Sequence, residues 1–299
     1  MENQPFHSGF AAVIGRANAG KSTLVNKLVG EKVAIVSPKP QTTRNTIRGV
    51  INDENYQVVL VDTPGIHKPK NKLGQFMDRQ SKGSVAGVDV IILMIDAARE
   101  ANKADDEAIR LADGAKVPVI AVLNKIDLIN KESLLAQIAK LSNDENISEI
   151  IPASAWMGDG CDVILEKLKS YIPEGPKYFP DDIYTDQPEQ VIAAEMIRES
   201  VLYLLHDEIP HGVGVDIRSM KYKKSGVCEI HADLLCERDS HKSIMIGKRG
   251  AKLKEIGSAA RKSIEGMLGA QVNLQLWVRV KPGWRNNMSA IKDLGYRDE

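Results

Sequence analysis

Short apolar runs recur through the first half of the chain, and segments with apolar residues at helical spacing separate them. Such runs, bounded by polar residues, are typical of strands buried on both faces. Their alternation with helices favours a mostly parallel sheet covered on both sides. We predict strands at residues 10–14, 58–61, 88–95, 117–123 and 150–153, and two of the helices at 22–28 and 163–170. The first half is therefore predicted to be an α/β domain with a mixed, mostly parallel sheet.

The pattern changes after residue 172. Residues 172–182 contain three prolines and three acidic residues, which suit neither a helix nor a central strand. The segments predicted beyond them are a helix at 189–206, strands at 213–223 and 226–236, two helices of which the second covers 251–268, and a strand at 272–280. Because 299 residues exceed the usual size of one domain, more than one domain is expected. The predicted divisions are a first domain at 1–172, a linker at 173–188, a smaller α+β domain at 189–285 and a tail at 286–299.

The first predicted strand leads directly into Gly15–Ser22 (GRANAGKS), which fits the pattern G-x-x-x-x-G-K-[ST]. A loop of this kind directs backbone amides at phosphate groups from the N-terminus of a helix, and two further motifs downstream disfavour a chance match. Lys21 is predicted to reach the outer phosphates as a catalytic residue, and the Ser22 hydroxyl to bind Mg²⁺. The nucleotide-binding residues predicted in this region are Gly15, Arg16, Ala17, Asn18, Ala19, Gly20, Lys21, Ser22 and Thr23.

Asn124–Asp127 (NKID) follows the predicted strand at 117–123. The Asp127 carboxylate can accept two hydrogen bonds, from the N1 and N2 hydrogens of guanine. Adenine offers neither hydrogen, and a site built for such hydrogens rejects a substrate that lacks them by roughly four to five powers of ten. We therefore predict that Asn124, Lys125 and Asp127 bind a guanine base.

Asp62–Gly65 (DTPG) follows the predicted strand at 58–61. The pattern D-x-x-G alone is a common turn, but a position at the end of a strand favours the edge of the sheet where ligands bind. Asp62 is predicted to hold Mg²⁺ through a water molecule and the Gly65 amide to meet the γ-phosphate, which makes both of them candidate catalytic residues. The other residues assigned to the nucleotide site here are Thr63, Pro64 and Ile66. Three motifs in this order indicate an enzyme that hydrolyses GTP.

Ile66 occupies the position where Ras-like GTPases carry a glutamine that orients the attacking water. An isoleucine side chain cannot form a hydrogen bond, so water must be positioned by the backbone, another residue or a monovalent cation. We therefore expect a slow intrinsic rate. Asn18 resembles the asparagine that binds potassium in some related GTPases, and this resemblance suggests stimulation by K⁺ as a hypothesis.

The charge of the second half is uneven, although the chain as a whole has 40 basic and 40 acidic residues. From His241 to Arg285 there are ten Lys/Arg and two acidic residues, so that segment carries +8 and the remainder −8. Such a segment favours a polyanionic partner. It includes Gly247–Gly250 (GKRG), between two predicted helices. The order α-β-β-α-α-β with G-x-x-G at that place matches a type II KH module, which clamps the backbone of about four nucleotides of RNA.

The RNA-binding residues predicted from this match are Gly247, Lys248, Arg249, Gly250, Lys252, Lys254 and Arg285. The alternative is a solvated basic face that balances the acidic first domain. Four apolar residues around the loop fit either a groove for bases or the core: Ile244, Ile246, Leu253 and Ile256. Trp284 is a candidate for base stacking, whereas Trp277 alternates with apolar residues in a strand and is expected to be buried.

Three cysteines without C-x-x-C spacing favour a reducing compartment over a disulfide framework or zinc site. Residues 1–9 contain no apolar signal core, and no run approaches the length of a membrane helix. We therefore expect a cytoplasmic protein. The basic segment leaves peripheral contact with anionic lipid open. Nothing in the sequence indicates an obligate dimer, so a monomer is expected.

The combined motifs, GRANAGKS, Thr42-Thr43-Arg44, DTPG, NKID and GKRG, resemble those of the bacterial Era-like GTPases over nearly the whole chain. By this resemblance Thr43, rather than Thr42, completes the Mg²⁺ shell and is a candidate catalytic residue. Ser154 and Ala155 resemble the fifth GTPase motif, in which a backbone amide contacts the guanine O6.

The resemblance implies binding of GTP and GDP with Mg²⁺. It also implies binding near the 3′ end of 16S rRNA, assistance to assembly of the small (30S) ribosomal subunit, and peripheral association with the inner membrane. Hydrolysis would time the release of RNA. Two alternatives remain. One is a membrane-associated GTP-dependent scaffold in cell-cycle control, with RNA secondary. The other is an RNA-modification GTPase, against which the lack of a catalytic cluster in the second domain counts.

Overall fold

The computed structural model of this chain describes residues 5–207 and 209–297. Backbone contacts divide it into two compact units. The first comprises the chain up to Lys68 with Met77–Asp186, and the second comprises Pro69–Phe76 with the chain from Gln187 onward. Residues 1–4 of the predicted first domain, residue 208 of the second and residues 298–299 of the tail lie outside the described part. Along that part, no helix is both long and apolar enough to cross a membrane.

A six-stranded sheet with strand order β2-β3-β1-β4-β5-β6 forms the centre of the first unit. β2 runs antiparallel to β3 and the other neighbours are parallel, so the predicted mixed, mostly parallel sheet is confirmed. The strands are β1 (His7–Gly15), β2 (Ile47–Asn52), β3 (Tyr56–Asp62), β4 (Val90–Asp96), β5 (Val119–Asn124) and β6 (Ile147–Ala153). The helices are α1 (Lys21–Val29), α2 (Lys72–Gly83), α3 (Lys103–Ala115), α4 (Lys131–Leu141) and α5 (Cys161–Tyr171). Of α2, only the part from Met77 onward belongs to this unit, because Pro69–Phe76 is grouped with the second.

Both faces of this sheet are covered, as the continuous apolar runs predict. Along β1, Ala11 and Val13 pack in one cluster with residues of α1 and α5, whereas Ala12 and Ile14 pack in a second cluster with residues of α3. Successive side chains of a strand point to opposite faces, so a strand between two helical layers must be apolar throughout. The core therefore fixes the strands from both sides and leaves their carboxyl ends to carry polar motifs.

Residues 173–186, predicted as most of the linker, belong instead to the first unit. The Val50 amide donates a hydrogen bond to the Tyr184 carbonyl (2.8 Å), Gly49 and Thr185 form an antiparallel bridge, and Gln57 Nε2 donates to the Phe179 carbonyl (2.8 Å). β2 is an edge strand, and its unpaired backbone groups bind an extended segment readily. The first unit thus ends at Asp186 rather than at residue 172.

The second unit contains a three-stranded sheet of order β7-β8-β9, with β7 antiparallel and β9 parallel to β8. Its elements are α6 (Glu189–Leu204), β7 (Gly214–Tyr222), β8 (Cys228–Cys236), α7 (Asp239–Ile246), α8 (Ala251–Leu268), β9 (Val272–Val280) and α9 (Met288–Asp293). Its apolar core draws on α6, α8 and all three strands. From α6 to β9 this is the predicted α-β-β-α-α-β order.

The predicted tail at 286–299 also differs, because α9 packs with the second unit and buries Ile291 completely. Trp284 is fully buried and its Nε1 donates to the Gly212 carbonyl at 2.9 Å, so the prediction that it stacks on bases is wrong. Trp277 is 45% exposed, with its ring 5.5 Å from that of His231, so the prediction that it is buried is also wrong. Tertiary packing, which strand alternation does not encode, decides which tryptophan is covered.

Candidate nucleotide site and nucleic-acid interface

The phosphate loop connects β1, which ends at Gly15, to α1, which begins at Lys21. Gly20 has φ +102°, and a Cβ atom there would lie 2.1 Å from Asn124 Nδ2, so only glycine fits. The first turn of α1 contains no acidic residue. Its backbone amides and the positive end of its dipole are therefore available to an anion.

Lys21 is buried and lies inside the loop that it is predicted to serve. Its Nζ donates to the carbonyl oxygens of Gly15 (3.1 Å) and Arg16 (3.0 Å). Burial lowers the pKa of Lys21 to about 8, and the nearby Asp62 carboxylate partly opposes that shift. An ammonium group held by two carbonyls can turn to phosphate oxygens, which compensate its charge better than neutral acceptors do.

The structure brings together the three side chains predicted to hold Mg²⁺, Ser22 and Thr43 directly and Asp62 through water. Ser22 Oγ lies 2.6 Å from Asp62 Oδ2 and 2.8 Å from Thr43 Oγ1, and Thr43 Oγ1 lies 3.4 Å from Asp62 Oδ2. The Thr42 hydroxyl donates instead to the Lys39 carbonyl at 2.7 Å. Asp62 Oδ1 is buried and has no hydrogen-bond partner among the described residues. Carboxylate and hydroxyl oxygens are hard ligands of the kind Mg²⁺ prefers, so this donor set fits that ion.

Asp62 gives a pH dependence to the stability of the protein without nucleotide and Mg²⁺. Burial raises its pKa from 3.8 to about 6, against the opposing effect of Lys21. Between these values the folded chain holds a proton that the unfolded chain releases, so the free energy of unfolding falls as the pH rises through this window. At 1.4 kcal/mol per pKa unit, the loss from this group is at most about 3 kcal/mol.

Urea titrations of the wild type and of Asp62→Asn across this pH window measure the effect. Other carboxyl groups titrate in both proteins, so the difference between them isolates Asp62. We expect the variant to gain stability over the wild type as the pH rises. A difference that stays constant across the window would contradict the expectation.

The side chains of Thr63 and Ile66, which follow Asp62, pack inside the protein and do not face a ligand. The Thr63 hydroxyl donates to the Val13 carbonyl (2.8 Å), and the Pro64 carbonyl accepts from Ser81 Oγ (2.6 Å). Ile66 is buried in the core and its amide donates to the Gly15 carbonyl (3.1 Å). A Cβ atom on Gly65 would lie 2.5 Å from the Ala17 Cα. DTPG is thus packed directly against the phosphate loop, with the side chains of Thr63 and Ile66 turned into the protein.

The two motifs predicted to bind the base follow neighbouring parallel strands at one edge of the sheet, where Asn124 of β5 pairs with Ala153 of β6. Asn124 is buried. Its Nδ2 donates to the Ala19 carbonyl (2.8 Å) and its Oδ1 accepts from the Ala155 amide (2.9 Å). It therefore joins the phosphate loop to the Ser154–Ala155 segment. The Asp127 carboxylate is exposed at the same edge.

Arg16, predicted among the nucleotide-binding residues, directs its side chain into the protein. Its Nη1 lies 2.7 Å from Asp105 Oδ2 and 3.0 Å from the Glu100 carbonyl, and only 6% of the residue is exposed. Its contribution to a ligand is therefore limited to the backbone. Sequence reasoning missed the acidic partners Asp96 and Asp105. Asp96 is the last residue of β4, so it lies at the carboxyl edge of the sheet, where the motifs also begin. This position is the one sequence signal that could have identified Asp96 as a site residue.

The loop Gly247–Gly250 joins α7 to α8 in the second unit. Gly247 has φ +71°, and a Cβ atom there would lie 2.7 Å from Lys252 Cβ, so the loop backbone is closely packed. Lys248 and Arg249 are exposed, and so is Lys254 in the first turn of α8, which contains no acidic residue. Exposed cations around a helix N-terminus form a site for phosphate groups.

Two other predicted RNA-binding residues are already paired with acids. Lys252 Nζ lies 2.6 Å from Glu255 Oε2, and Arg285 Nε lies 3.1 Å from Glu237 Oε2. Of the four apolar residues near the loop, Ile256 is fully buried in the core and Ile244 is 51% exposed. Ile246 and Leu253 are partly buried against the core. Lys248, Arg249 and Lys254 therefore remain exposed charges in this region, and Ile244 is an exposed apolar residue on α7.

Comparison with known proteins gives one family match in the first part of the chain and another in the second. Residues 10–125 match a family described as 50S ribosome-binding GTPase, and residues 208–285 match the KH domain. GTPase Era of Ruminiclostridium cellulolyticum is 52% identical over 98% of each chain, and GTPase Era of Clostridioides difficile is 50% identical over 98% of this chain and 100% of that protein.

Two crystal structures resemble the whole chain. A variant of Aquifex aeolicus Era bound to GDP.AlF4⁻ has a TM-score of 0.94 and is 38% identical, covering 97% of this chain and 99% of that one. A structure of Era in complex with MgGDPNP and nucleotides 1506–1542 of 16S ribosomal RNA gives the same TM-score, identity and coverage.

The fold and the two sites define a P-loop GTPase followed by a KH domain. The order of its motifs and the likeness over full length are more specific than any one motif. The chain belongs to the Era family of GTPases, and it hydrolyses GTP to GDP and phosphate. The predicted fold class, family and enzyme activity are therefore confirmed.

Proposed function

We propose that the nucleotide site works through the residues gathered at the carboxyl edge of the first sheet. Asp127 accepts hydrogen bonds from the N1 and N2 hydrogens of guanine, while Asn124 joins the phosphate loop to the Ser154–Ala155 segment. The exposed position of Asp127 and the two hydrogen bonds of Asn124 support this assignment. The loop amides and Lys21 bind the phosphates, and the Gly65 amide faces the γ-phosphate.

Ser22 and Thr43 would hold Mg²⁺ directly, and Asp62 through water. The Era structure with MgGDPNP supports the same ion for this family. When bound, the ion supplies charge that stabilises the phosphate oxygens during transfer. The side chain of Ile66 is buried and apolar, so the attacking water is oriented without the glutamine that Ras-like enzymes use, and we propose a slow intrinsic rate. Potassium binding at Asn18 stays a prediction; in this structure Asn18 Nδ2 donates to the Pro38 carbonyl at 2.7 Å.

We further propose that the KH domain binds the 3′ region of 16S rRNA and that the protein acts in assembly of the small ribosomal subunit. The observation that carries this proposal is the GKRG loop, with exposed Lys248 and Arg249, at the N-terminus of α8. Era in complex with nucleotides 1506–1542 of 16S rRNA is similar over nearly the whole chain and supports the same class of RNA. The GTP state is proposed to favour RNA binding, and hydrolysis to end it.

An RNA with the sequence of nucleotides 1506–1542 of 16S rRNA tests the proposal. Its affinity for the protein bound to a GTP analogue is measured by fluorescence anisotropy. Gly250→Asp places a carboxylate where phosphate is expected, and we predict a roughly tenfold to hundredfold loss of affinity. Gly226→Asp is a matched control, because Gly226 and Gly250 have φ of +81° and +79° and neither added Cβ would meet any atom within 4 Å. Equal affinities of the two variants would contradict binding through the KH loop.

Crosslinking and sequencing of RNA from cells then identifies the natural site. A footprint at the 3′ end of small-subunit rRNA that Gly250→Asp removes supports the proposal. Equal RNA affinity in the GTP-analogue and GDP forms would remove the timing role. A preference for anionic vesicles over this RNA would favour the membrane-associated scaffold instead.

A further inference from the structure

We propose that Asp96 is a positioning residue that holds the base-recognition segment against the phosphate loop through the side chain of Lys125. This inference rests on the proposed assignment of Asp127 to guanine. Asp96 belongs to none of the nucleotide motifs, yet its carboxylate meets side chains from two of them, Arg16 of the phosphate loop and Lys125 of NKID.

The sheet order explains why Asp96 can do this. β4 lies between β1, which leads into the phosphate loop, and β5, which leads into NKID, and Asp96 pairs with Asn124 in the register of β4 and β5. Asp96 is the last residue of β4 and is 2% exposed. A buried carboxylate at this point has cationic side chains within reach on both sides, and it is costly to bury without them.

Lys125 forms the first connection. Its Nζ lies 2.7 Å from Asp96 Oδ2 and donates to the Asn18 carbonyl of the phosphate loop at 2.8 Å. The ammonium group therefore joins β4 and the phosphate loop to the segment that carries Asp127, two residues further on. Lys125 has φ +69°, a left-handed conformation that non-glycine residues rarely adopt. The side chain makes both contacts from a backbone in that conformation.

Arg16 forms the second connection, and Asp96 shares it with Asp105. Arg16 Nη2 lies 3.7 Å from Asp96 Oδ2 and 3.4 Å from the Asp96 carbonyl, while Nη1 lies 2.7 Å from Asp105 Oδ2. Arg99 also approaches Asp96 Oδ2 at 3.8 Å, but its side chain is 68% exposed and adds little. Asp96 Oδ1 accepts from the Ala98 amide at 3.2 Å.

The two acids therefore make separable contributions. Loss of the Asp96 charge leaves Arg16 with Asp105, but it takes from Lys125 its only charged partner among the described residues. The Lys125 side chain, 27% exposed, can then turn to solvent. Loss of the Asp105 charge affects Arg16 and leaves the Lys125 contacts in place. Asp96→Asn should therefore weaken the binding of guanine, whereas Asp105→Asn should have little effect on the binding of the base.

Two readouts measure this: the dissociation rate of a fluorescent GDP analogue, and the preference for GTP over ITP. Hypoxanthine keeps the N1 hydrogen of guanine but lacks the 2-amino group, so the preference reports how well Asp127 is placed. We expect Asp96→Asn to raise the dissociation rate by about 10- to 100-fold, the range that loss of a charge-assisted hydrogen bond produces, and to reduce the preference. Asp105→Asn should change the rate less than about threefold. Equal effects of the two variants on both readouts would overturn the proposal.

A double variant covers the case in which Asp96→Asn folds poorly. If Asp96 acts through Lys125, Asp96→Asn/Lys125→Met should release the GDP analogue no faster than Lys125→Met alone. Additive losses would overturn the proposal. Asp127→Asn in the same assays separates this inference from the proposed function. If Asp127→Asn leaves the base preference unchanged, the assignment of Asp127 fails. If it changes that preference while the Asp96 variants behave as wild type, only the role of Asp96 fails.

Discussion

Asp127→Asn is expected to change the base that this GTPase prefers from guanine to xanthine. The Asp127 carboxylate only accepts hydrogen bonds, which suits the N1 hydrogen and the 2-amino group of guanine. An asparagine amide accepts from N1–H but presents an NH₂ group to the second position, where guanine also has donor hydrogens. Xanthine has a carbonyl oxygen there, so it pairs with the amide. Because mismatched polar groups at such a site cost roughly four to five powers of ten, the ratio of GTP to XTP use should reverse.

Steady-state hydrolysis of GTP and XTP by the wild type and the variant measures this ratio as kcat/KM. Asp106→Asn is the control, since Asp106 is exposed on α3 and the substitution is the same. It should retain the wild-type preference. A variant at Asp127 that loses both substrates equally would show that Asp127 serves the fold of the NKID segment rather than recognition of the base.

Lys21→Met is expected to reduce the rate of GTP hydrolysis by about a hundredfold to a thousandfold, the usual cost of removing one donor that stabilises charge in a transition state. The methionine fills a similar space but has no charge for the phosphate oxygens. The folded protein should not lose stability in the absence of nucleotide. Lys21 is buried and its pKa is lowered to about 8, so its charge opposes folding at neutral pH.

Single-turnover hydrolysis at saturating GTP gives the rate, and urea titration without nucleotide gives the stability. Lys27→Met is the matched control, because Lys27 lies on the same helix and is exposed. The control should keep both the rate and the stability. A Lys21→Met protein that hydrolyses GTP at nearly the wild-type rate would remove Lys21 from catalysis. One that is destabilised would indicate a structural role for its bonds to Gly15 and Arg16.

The motifs at strand ends were accessible to sequence reasoning because their chemistry is local. A glycine-rich loop followed by a helix, an acidic turn and an N-K-x-D segment each combine the residues for their predicted role within a few positions. The apolar runs before them are strands in the structure, which places Asp62 and Asn124 at the carboxyl edge of one sheet. The fold of the second unit could be predicted for a similar reason, since the order of its elements and the GKRG loop are both features of the sequence.

The placement of the predicted linker and tail, and the burial of the two tryptophans, could not be predicted in this way. Residues 173–186 have the composition of a linker, yet β2 offers them backbone partners at Val50 and Gly49. β2 itself carries no motif and was not predicted. Trp277 and Trp284 lie close in sequence, and only the packing of the second unit buries the latter and exposes the former. Contacts between residues that are distant along the chain cannot be read from local composition.

By itself the sequence determined a GTPase of known motif order with a KH domain, because phosphate binding, base choice and helix or strand periodicity depend on residues near one another along the chain. Only the tertiary structure decided how those motifs are held together. Asp96 meets Arg16, 80 residues away, and Lys125, 29 residues away, because β4 lies between β1 and β5 in the sheet. Long-range electrostatic contacts of this kind follow from strand order, which a single sequence does not state.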